Sequence, residues 1–328
     1  QNRSEVRNSY LSELVPLSTT PMGFTGNVTA GNAGGISSGY RAAVLGSINW
    51  FRRMAGVPGI AGFDPANSAK NQQAALMMSA NRALSHFPPP SWTYYSADGA
   101  EAAGNSNLCL ASGLGFFQVG CVNGYMLDSG ASNYAVGHRR WLLYPQTQTM
   151  GTGDVDGRAE PQSFPLANSI WAWDENYGRP RPATREAFVA WPPPGFVPVQ
   201  VNYPRWSFSV AGADFQSASV SVQLDGAPIS AEIEPIDQRY GENTIVFLPS
   251  LNLPSPLGAD RAVDVTISGV VVGGVTRQYQ YRVVLFDPNT APSGGPPAVG
   301  NMAPESGAGS SNTFTFTFSD PDGANDLT

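Results

Sequence analysis

Charge is scarce in this chain. Lys, Arg, Asp and Glu make up 13% of its 328 residues, about half the ordinary share. The balance is acidic, with a formal net charge of −7, and the basic residues are scattered. That excludes the basic face on which nucleic-acid binding depends. No apolar run approaches the length of about 18 residues that a membrane-spanning helix needs, so no membrane span is expected. Histidine is scarcer still, represented by His86 and His138 alone. Cysteine is as rare, with Cys109 and Cys121 in no CxxC or CxxCH pattern, which excludes zinc ribbons and c-type haem attachment.

Turn-forming residues are abundant instead: 36 Gly and 28 Pro, with Ser, Thr and Val prominent beyond residue 200. Hydrophobic residues at 41% and aromatics at 11% exclude a disordered chain. The length suits two domains, each with its own core. This composition fits a secreted or cell-surface protein with a β-rich half. Gln1 with a polar segment behind it reads either as a mature N-terminus left by signal-peptide cleavage or as a cytosolic start, and the composition favours the first. Cys109 and Cys121 flank a Gly-rich segment. Two readings stay open for them: a disulfide, worth roughly 2–4 kcal/mol and favoured by export, or a pair of buried thiols.

Residues 1–35, dominated by Gly, Ser, Thr and Asn, read as an extended N-terminal arm. Val44, Leu45, Ile48 and Phe51 then recur at helical spacing until Gly56-Val57-Pro58. Asp64 is suited to cap a second helix that Pro65 opens, and Pro88-Pro89-Pro90 stops it just past Ser85-His86. Shorter helices are expected near 100–104 and 117–127. Strands are expected at 141–144, 169–173 and 187–191. Helices first and strands after argue for α+β.

Pro192-Pro193-Pro194-Gly195 reads as a boundary. Alternating segments at 206–210, 218–222, 244–248, 263–267 and 279–283 then predict an all-β, immunoglobulin-like sandwich over 199–289. Residues 290–328 read as a Pro/Gly/Ser linker and a lone strand, Thr313-Phe314-Thr315-Phe316-Thr317-Phe318. One strand cannot bury its Phe face alone. It needs this chain, a further domain past Thr328 or another chain.

The chemistry-bearing residues are His86 in Leu84-Ser85-His86, Glu101 in Gly99-Ala100-Glu101-Ala102-Ala103-Gly104-Asn105, Asp128 in Tyr125-Met126-Leu127-Asp128, and His138 in Gly137-His138-Arg139-Arg140. In order and spacing they resemble the CAP superfamily (cysteine-rich secretory proteins, antigen 5, pathogenesis-related 1; the SCP domain) in its bacterial form. Ile48-Asn49-Trp50-Phe51-Arg52 with Ala55-Gly56-Val57-Pro58 is similar to the family's first helix. The resemblance covers about half the chain, placed here at 36–198. It implies an α-β-α sandwich and a cavity holding His86, Glu101, Asp128 and His138. At the last acidic place the family usually has a Glu three residues after a Trp, where this chain has Tyr125 and Asp128.

Two imidazoles with Glu101 suit Zn²⁺ or a similar divalent ion, with a coordination position left for water. Without metal, each His paired with a carboxylate makes a pH-sensitive site. Alternatively, each His is a satisfied core residue at a helix end. No serine is read as the strained nucleophile of a triad. A disulfide would remove Cys109 and Cys121 from Cys-His catalysis. Asp154-Val155-Asp156-Gly157 and Asp320-Pro321-Asp322-Gly323 are oxygen-rich turns, but neither completes an EF-hand loop. Trp171, Trp173 and Trp191 suit core packing better than a ligand groove. The functional expectations are therefore three. They are binding of a lipid, glycan or protein; metal-dependent hydrolysis at the same cavity; and a filament subunit that adds strands between chains.

Overall fold

The computed structural model of the protein describes residues 2–111, 119–290, 298–303, 307–309, 311 and 313–319. It opens with a helix where an extended arm is expected. Asn2 and Glu5 cap each other's backbone N–H groups and start α1 (Arg3–Ser9). A wide helical turn (Tyr10–Leu14) and a short last turn, α2 (Val15–Leu17), follow. Val6, Tyr10, Leu14 and Leu17 form a stripe at three- and four-residue spacing, with Val6 and Leu14 buried. The surrounding polar residues hide that stripe from a reading by composition.

Ser37 caps α3 (Ser38–Ala55), and Gly56 ends it in the left-handed conformation at φ 76°. Asp64 Oδ1 accepts from Asn67 N at 2.7 Å and starts α4 (Pro65–Asn81), as its sequence dictates. The helix stops at Arg82, which takes φ 51°, so His86 follows the helix rather than ending it.

Strands β1 (Gly62–Phe63), β2 (Ser106–Ala111), β3 (Thr149–Val155) and β4 (Leu166–Trp171) form a sheet in the order β1-β3-β4-β2, with β1 parallel to β3. The two-residue period sorts β4 between two cores. Leu166 and Ile170 pack with α3 and α6 (Val122–Leu127), while Ala167 packs with α4 and α5 (Ala97–Gly104). Helices therefore cover both faces of the sheet. A Cβ on Gly153 would sit 2.2 Å from Gln72 N, so that glycine is what lets α4 lie on β3. Cys109 and Cys121 form a disulfide that ties β2 to the start of α6. Residues 112–118, which include the expected start of the 117–127 helix, lie outside the described residues.

Trp141-Leu142-Leu143-Tyr144 is not a strand. Its first half closes α7 (Gly137–Leu142), and its second half turns away. A short apolar run has no period of its own. Here the hydrogen bonds at the start of α7, described below, decide for helix.

The β-rich part is a two-layer sandwich. One layer has the order β11-β12-β7-β5, from β5 (Val189–Trp191), β7 (Trp206–Ser209), β11 (Ala231–Ile233) and β12 (Thr244–Pro249). The other has the order β10-β9-β13-β14-β6, from β6 (Gly195–Pro198), β9 (Ser219–Leu224), β10 (Ala227–Ile229), β13 (Arg261–Val272) and β14 (Val275–Phe286), with β8 (Ala213–Asp214) also on β13. Phe208 and Tyr281 stack across the layers at 6.0 Å between ring centroids. The strands β5 and β6 lie before residue 199 yet pair with β7 and β14, so 189–198 belongs to the sandwich and not to the preceding layers. Pro192-Pro193-Pro194 is the crossover between the two sheets, not a linker between domains.

The two parts share one continuous core, through Phe51 on α3 against Trp191 on β5 at 5.2 Å. The N-terminal helix braces both. Arg3 pairs with Asp260 at 2.9 Å, Arg7 Nε donates to Pro288 O at 2.8 Å, and Trp50 Nε1 donates to Ser9 Oγ at 3.0 Å. Further on, β16 (Thr315–Ser319) pairs antiparallel with β15 (Ala298–Ala303), which gives the Thr-Phe strand a partner within the chain. Phe316 and Phe318 remain exposed. Asp320-Pro321-Asp322-Gly323 and part of the 290–312 linker lie outside the described residues. Among the described residues no helix is long and apolar enough to cross a membrane.

Arg52 on α3 is wholly buried, and among the described residues it has no carboxylate in contact. It donates to the carbonyls of Pro58, Leu142, Tyr144 and Thr147 at 2.7–3.0 Å. Burial pulls the guanidinium down to about 9, and the charge of Asp174 opposes that. Removing it strands several buried carbonyls at roughly 1–3 kcal/mol each. Arg52→Met should therefore cost more than about 3 kcal/mol in urea unfolding. An unchanged midpoint would show that the carbonyls find other donors.

Candidate functional site

His86 and His138 line one cavity of about 350 Å³. Its walls include Phe87, Asn107, Trp141, Trp173 and Tyr240. That size falls within the roughly 300–1,000 Å³ of small-ligand sites. His86 Nδ1 lies 2.8 Å from Ala103 O. A carbonyl only accepts, so Nδ1 carries the proton and Nε2 is left as the ring's acceptor. His138 reaches the same state by another route. Its Nδ1 lies 2.7 Å from Asp128 Oδ1, which requires Nδ1–H, and again leaves Nε2.

Asp128 does not line the cavity. It is 1% exposed, and its Oδ2 accepts the backbone N–H of His138 at 2.9 Å and of Arg139 at 3.4 Å. The carboxylate thus both orients the imidazole and starts α7. The backbone around it is strained. Asp128 sits at φ 50° and the buried, β-branched Val136 at φ 44°. Each costs about 1–3 kcal/mol, offset by the packing that holds it.

Glu101 is a correction. It stands on α5, half exposed, with Oε2 2.7 Å from Lys70 Nζ on α4. It is not part of the cavity wall. The expected metal set of His86, His138 and Glu101 is therefore not assembled. Among the described residues no group of three or more His, Cys, Asp or Glu is placed to hold a metal ion. With Glu101 on Lys70 and Asp128 committed to His138 and α7, the cavity offers a metal two imidazole nitrogens. That does not fit a resident Zn²⁺ site, which takes three or four protein ligands.

The other sequence candidates fall elsewhere. Trp191 is core and Trp171 half-buried against the sheet, but Trp173 lines the cavity, 4.8 Å from Trp141 between ring centroids. Asp156 pairs with Arg158 at 2.7 Å, and Asp154 is fully buried, so their turn is no cation site. Gly35-Ile36-Ser37-Ser38-Gly39 spells the letters of a nucleophile elbow. Yet Ser37 follows no strand, and its Oγ accepts from Tyr40 N at 3.1 Å as the cap of α3.

Residues missed from sequence lie behind His138. Tyr125 stacks on its ring at 5.5 Å and donates to Asn168 Oδ1 at 2.7 Å. Asn168 Nδ2 donates to Asp154 Oδ1 at 2.9 Å. Arg139 donates to Met126 O at 2.6 Å and to Arg205 O at 2.8 Å, joining α7 to the sandwich. Arg140 donates to Asp237 O at 2.6 Å and Glu242 O at 2.9 Å. Burial lowers both guanidinium groups to about 10. A fully buried Arg following the catalytic-looking His gives no periodic signal.

Residues 45–188 match the family model described as Cysteine-rich secretory protein family, CAP. The match contains His86, Asp128, His138 and the disulfide, and it stops just before β5. This part of the chain is a CAP domain. No curated protein matches the chain.

Asp154 supplies a test of the support behind the site. Burial pushes its carboxyl up to about 7, against hydrogen bonds from Asn168, Thr152 and Tyr40 that lower it. The native state therefore keeps a proton that the unfolded chain releases near pH 4. The stability this lends is full below pH 4 and is lost as pH rises through about 7, a difference of the order of 4 kcal/mol. The stability of the wild type relative to Asp154→Asn should fall across that window in urea unfolding. A pH-independent difference would contradict the buried, protonated carboxyl.

Proposed function

We propose that this is an exported CAP-domain protein that acts by binding, with the His86–His138 cavity as its recognition site and no turnover there. The observation that carries this reading is the state of the two imidazoles. Each directs Nδ1–H to a protein acceptor, which in the neutral ring makes Nε2 an acceptor, and both rings line a cavity walled by Trp141, Trp173 and Tyr240. Fixed acceptors beside aromatic planes suit an amphipathic ligand. The alternative, metal-dependent hydrolysis, lacks a third ligand once Glu101 is bonded to Lys70. Export is supported by the disulfide and by the extracellular habit of CAP proteins.

The test is direct. Purified protein, with and without added Zn²⁺, should show no hydrolysis above background on broad peptide and ester panels. A ligand that enters the cavity should change the fluorescence of Trp141 and Trp173, and His138→Ala should weaken its binding at least tenfold. Robust turnover that His138→Ala abolishes would overturn the reading.

A further inference from the structure

The cavity is not made by the CAP domain alone. Arg239 and Tyr240, which line it together with His138, belong to loop 234–243 between β11 and β12 of the sandwich. The loop is strapped to the CAP domain. Arg140 donates to Asp237 O at 2.6 Å and to Glu242 O at 2.9 Å, and its guanidinium lies 5.6 Å from the Tyr240 ring centroid. Tyr134 Oη donates to Asp237 Oδ2 at 3.3 Å, and Arg181 pairs with Glu242. The loop also packs over Gly137. A Cβ there would meet the Tyr240 ring at 2.8 Å, so the absent side chain is what seats that ring beside His138.

We infer that the sandwich loop is a structural part of the recognition site, with Tyr240 a specificity-determining residue, and that the ligand is a saccharide. This rests on the binding reading above. The ligand class follows from the lining. Trp141, Trp173 and Tyr240 place aromatic rings in the wall, and such rings suit the C–H faces of a sugar. Asn107 Nδ2 and Ser106 Oγ are bonded to His138 O and Asn71 Nδ2, so the polar groups the wall brings are the amide oxygen of Asn133 and the hydroxyl of Ser132, to which the two imidazoles in their neutral form add Nε2 acceptors. Edge hydroxyls both donate and accept, so one sugar ring satisfies this mixture, whereas an acyl chain leaves the acceptors unpaired. Tyr240 arrives on a loop held by main-chain carbonyls. The wall is therefore set before the ligand arrives, which lowers the ordering cost of binding.

The experiment screens the full chain on a printed array of neutral and uronic-acid-containing oligosaccharides, in parallel with phosphatidylcholine vesicles with and without cholesterol. The best saccharide is then titrated against variants. Wild type should retain a saccharide and ignore the vesicles. His138→Ala should abolish that binding. Tyr240→Ala should weaken it at least tenfold. Gly137→Ala, which keeps both imidazoles and the Tyr240 side chain but displaces the Tyr240 ring, should weaken it as well. Unchanged thermal unfolding of these variants separates a lost contact from a lost fold. Saccharide binding lost in His138→Ala but kept within twofold in both Tyr240→Ala and Gly137→Ala would overturn the composite site and leave the binding reading standing. Vesicle binding without saccharide binding would overturn the ligand class. Retention of neither, with hydrolysis that depends on His138, would overturn both readings.

Discussion

The carboxylate of Asp128 is the interaction on which the rest of the site depends. It is wholly buried, and it is shared by the imidazole and backbone N–H of His138 and the backbone N–H of Arg139. One group therefore fixes a ring orientation, a tautomer and the first turn of α7. The local chain takes two left-handed non-glycine conformations to make this possible, at Asp128 and Val136. Such geometry persists only where the surroundings over-determine it. Here they do: Tyr125 stacks on the imidazole from behind, and Asn107 Nδ2 donates to His138 O at 3.0 Å.

From α7 the consequences run outward to the second domain. The successive residues His138, Arg139 and Arg140 divide between cavity and clamp. His138 lines the cavity, Arg139 divides its donors between Met126 O and Leu127 O beside it and Arg205 O and Ser207 Oγ of the sandwich, and Arg140 reaches Asp237 O and Glu242 O of the sandwich. Buried guanidinium groups are costly unless their hydrogen bonds are met, so these contacts fix the relation between the parts rather than decorate it. Phe51 against Trp191 and the N-terminal helix, with Arg3 on Asp260, strengthen the same junction elsewhere. The CAP match ends where the sandwich begins, yet the core does not break there.

Much of this was legible in the residues, in a patterned way. Caps and breakers read well: Asp64 with Pro65 and Gly56 act locally, through a side-chain cap and through glycine's freedom to take the left-handed conformation. Alternation read well for the sandwich strands, as in β13, where every second residue from Val263 to Ile267 is buried. Reading failed where a distant partner decides. Glu101 sits in a motif-like place, but Lys70 on the neighbouring helix captures it. The run 141–144 carries no period, and Asp128 makes its first half helical. Residues 3–17 fold as helix because an Asn2–Glu5 capping box and four spaced apolar residues outweigh a polar composition. The Pro-rich segment 192–194 reads as a boundary from composition, while hydrogen bonding of β5 and β6 places it inside the sandwich. Tyr240 was invisible, since nothing in a loop sequence tells which domain's cavity it will line.

The opening scarcity of histidine thus ends as a division of labour. Neither imidazole is a satisfied core residue, and among the described residues neither joins a carboxylate-rich metal set. Each has its Nδ1–H tied down so that Nε2 remains as an acceptor. Long-range ¹H–¹⁵N correlation spectroscopy of the imidazoles, at a pH where both rings are neutral, reads this state directly. The account predicts Nδ1 protonated and Nε2 unprotonated for both His86 and His138, with His138 alone losing that preference in Asp128→Ala. An Nε2–H tautomer on either ring in the wild type would contradict it.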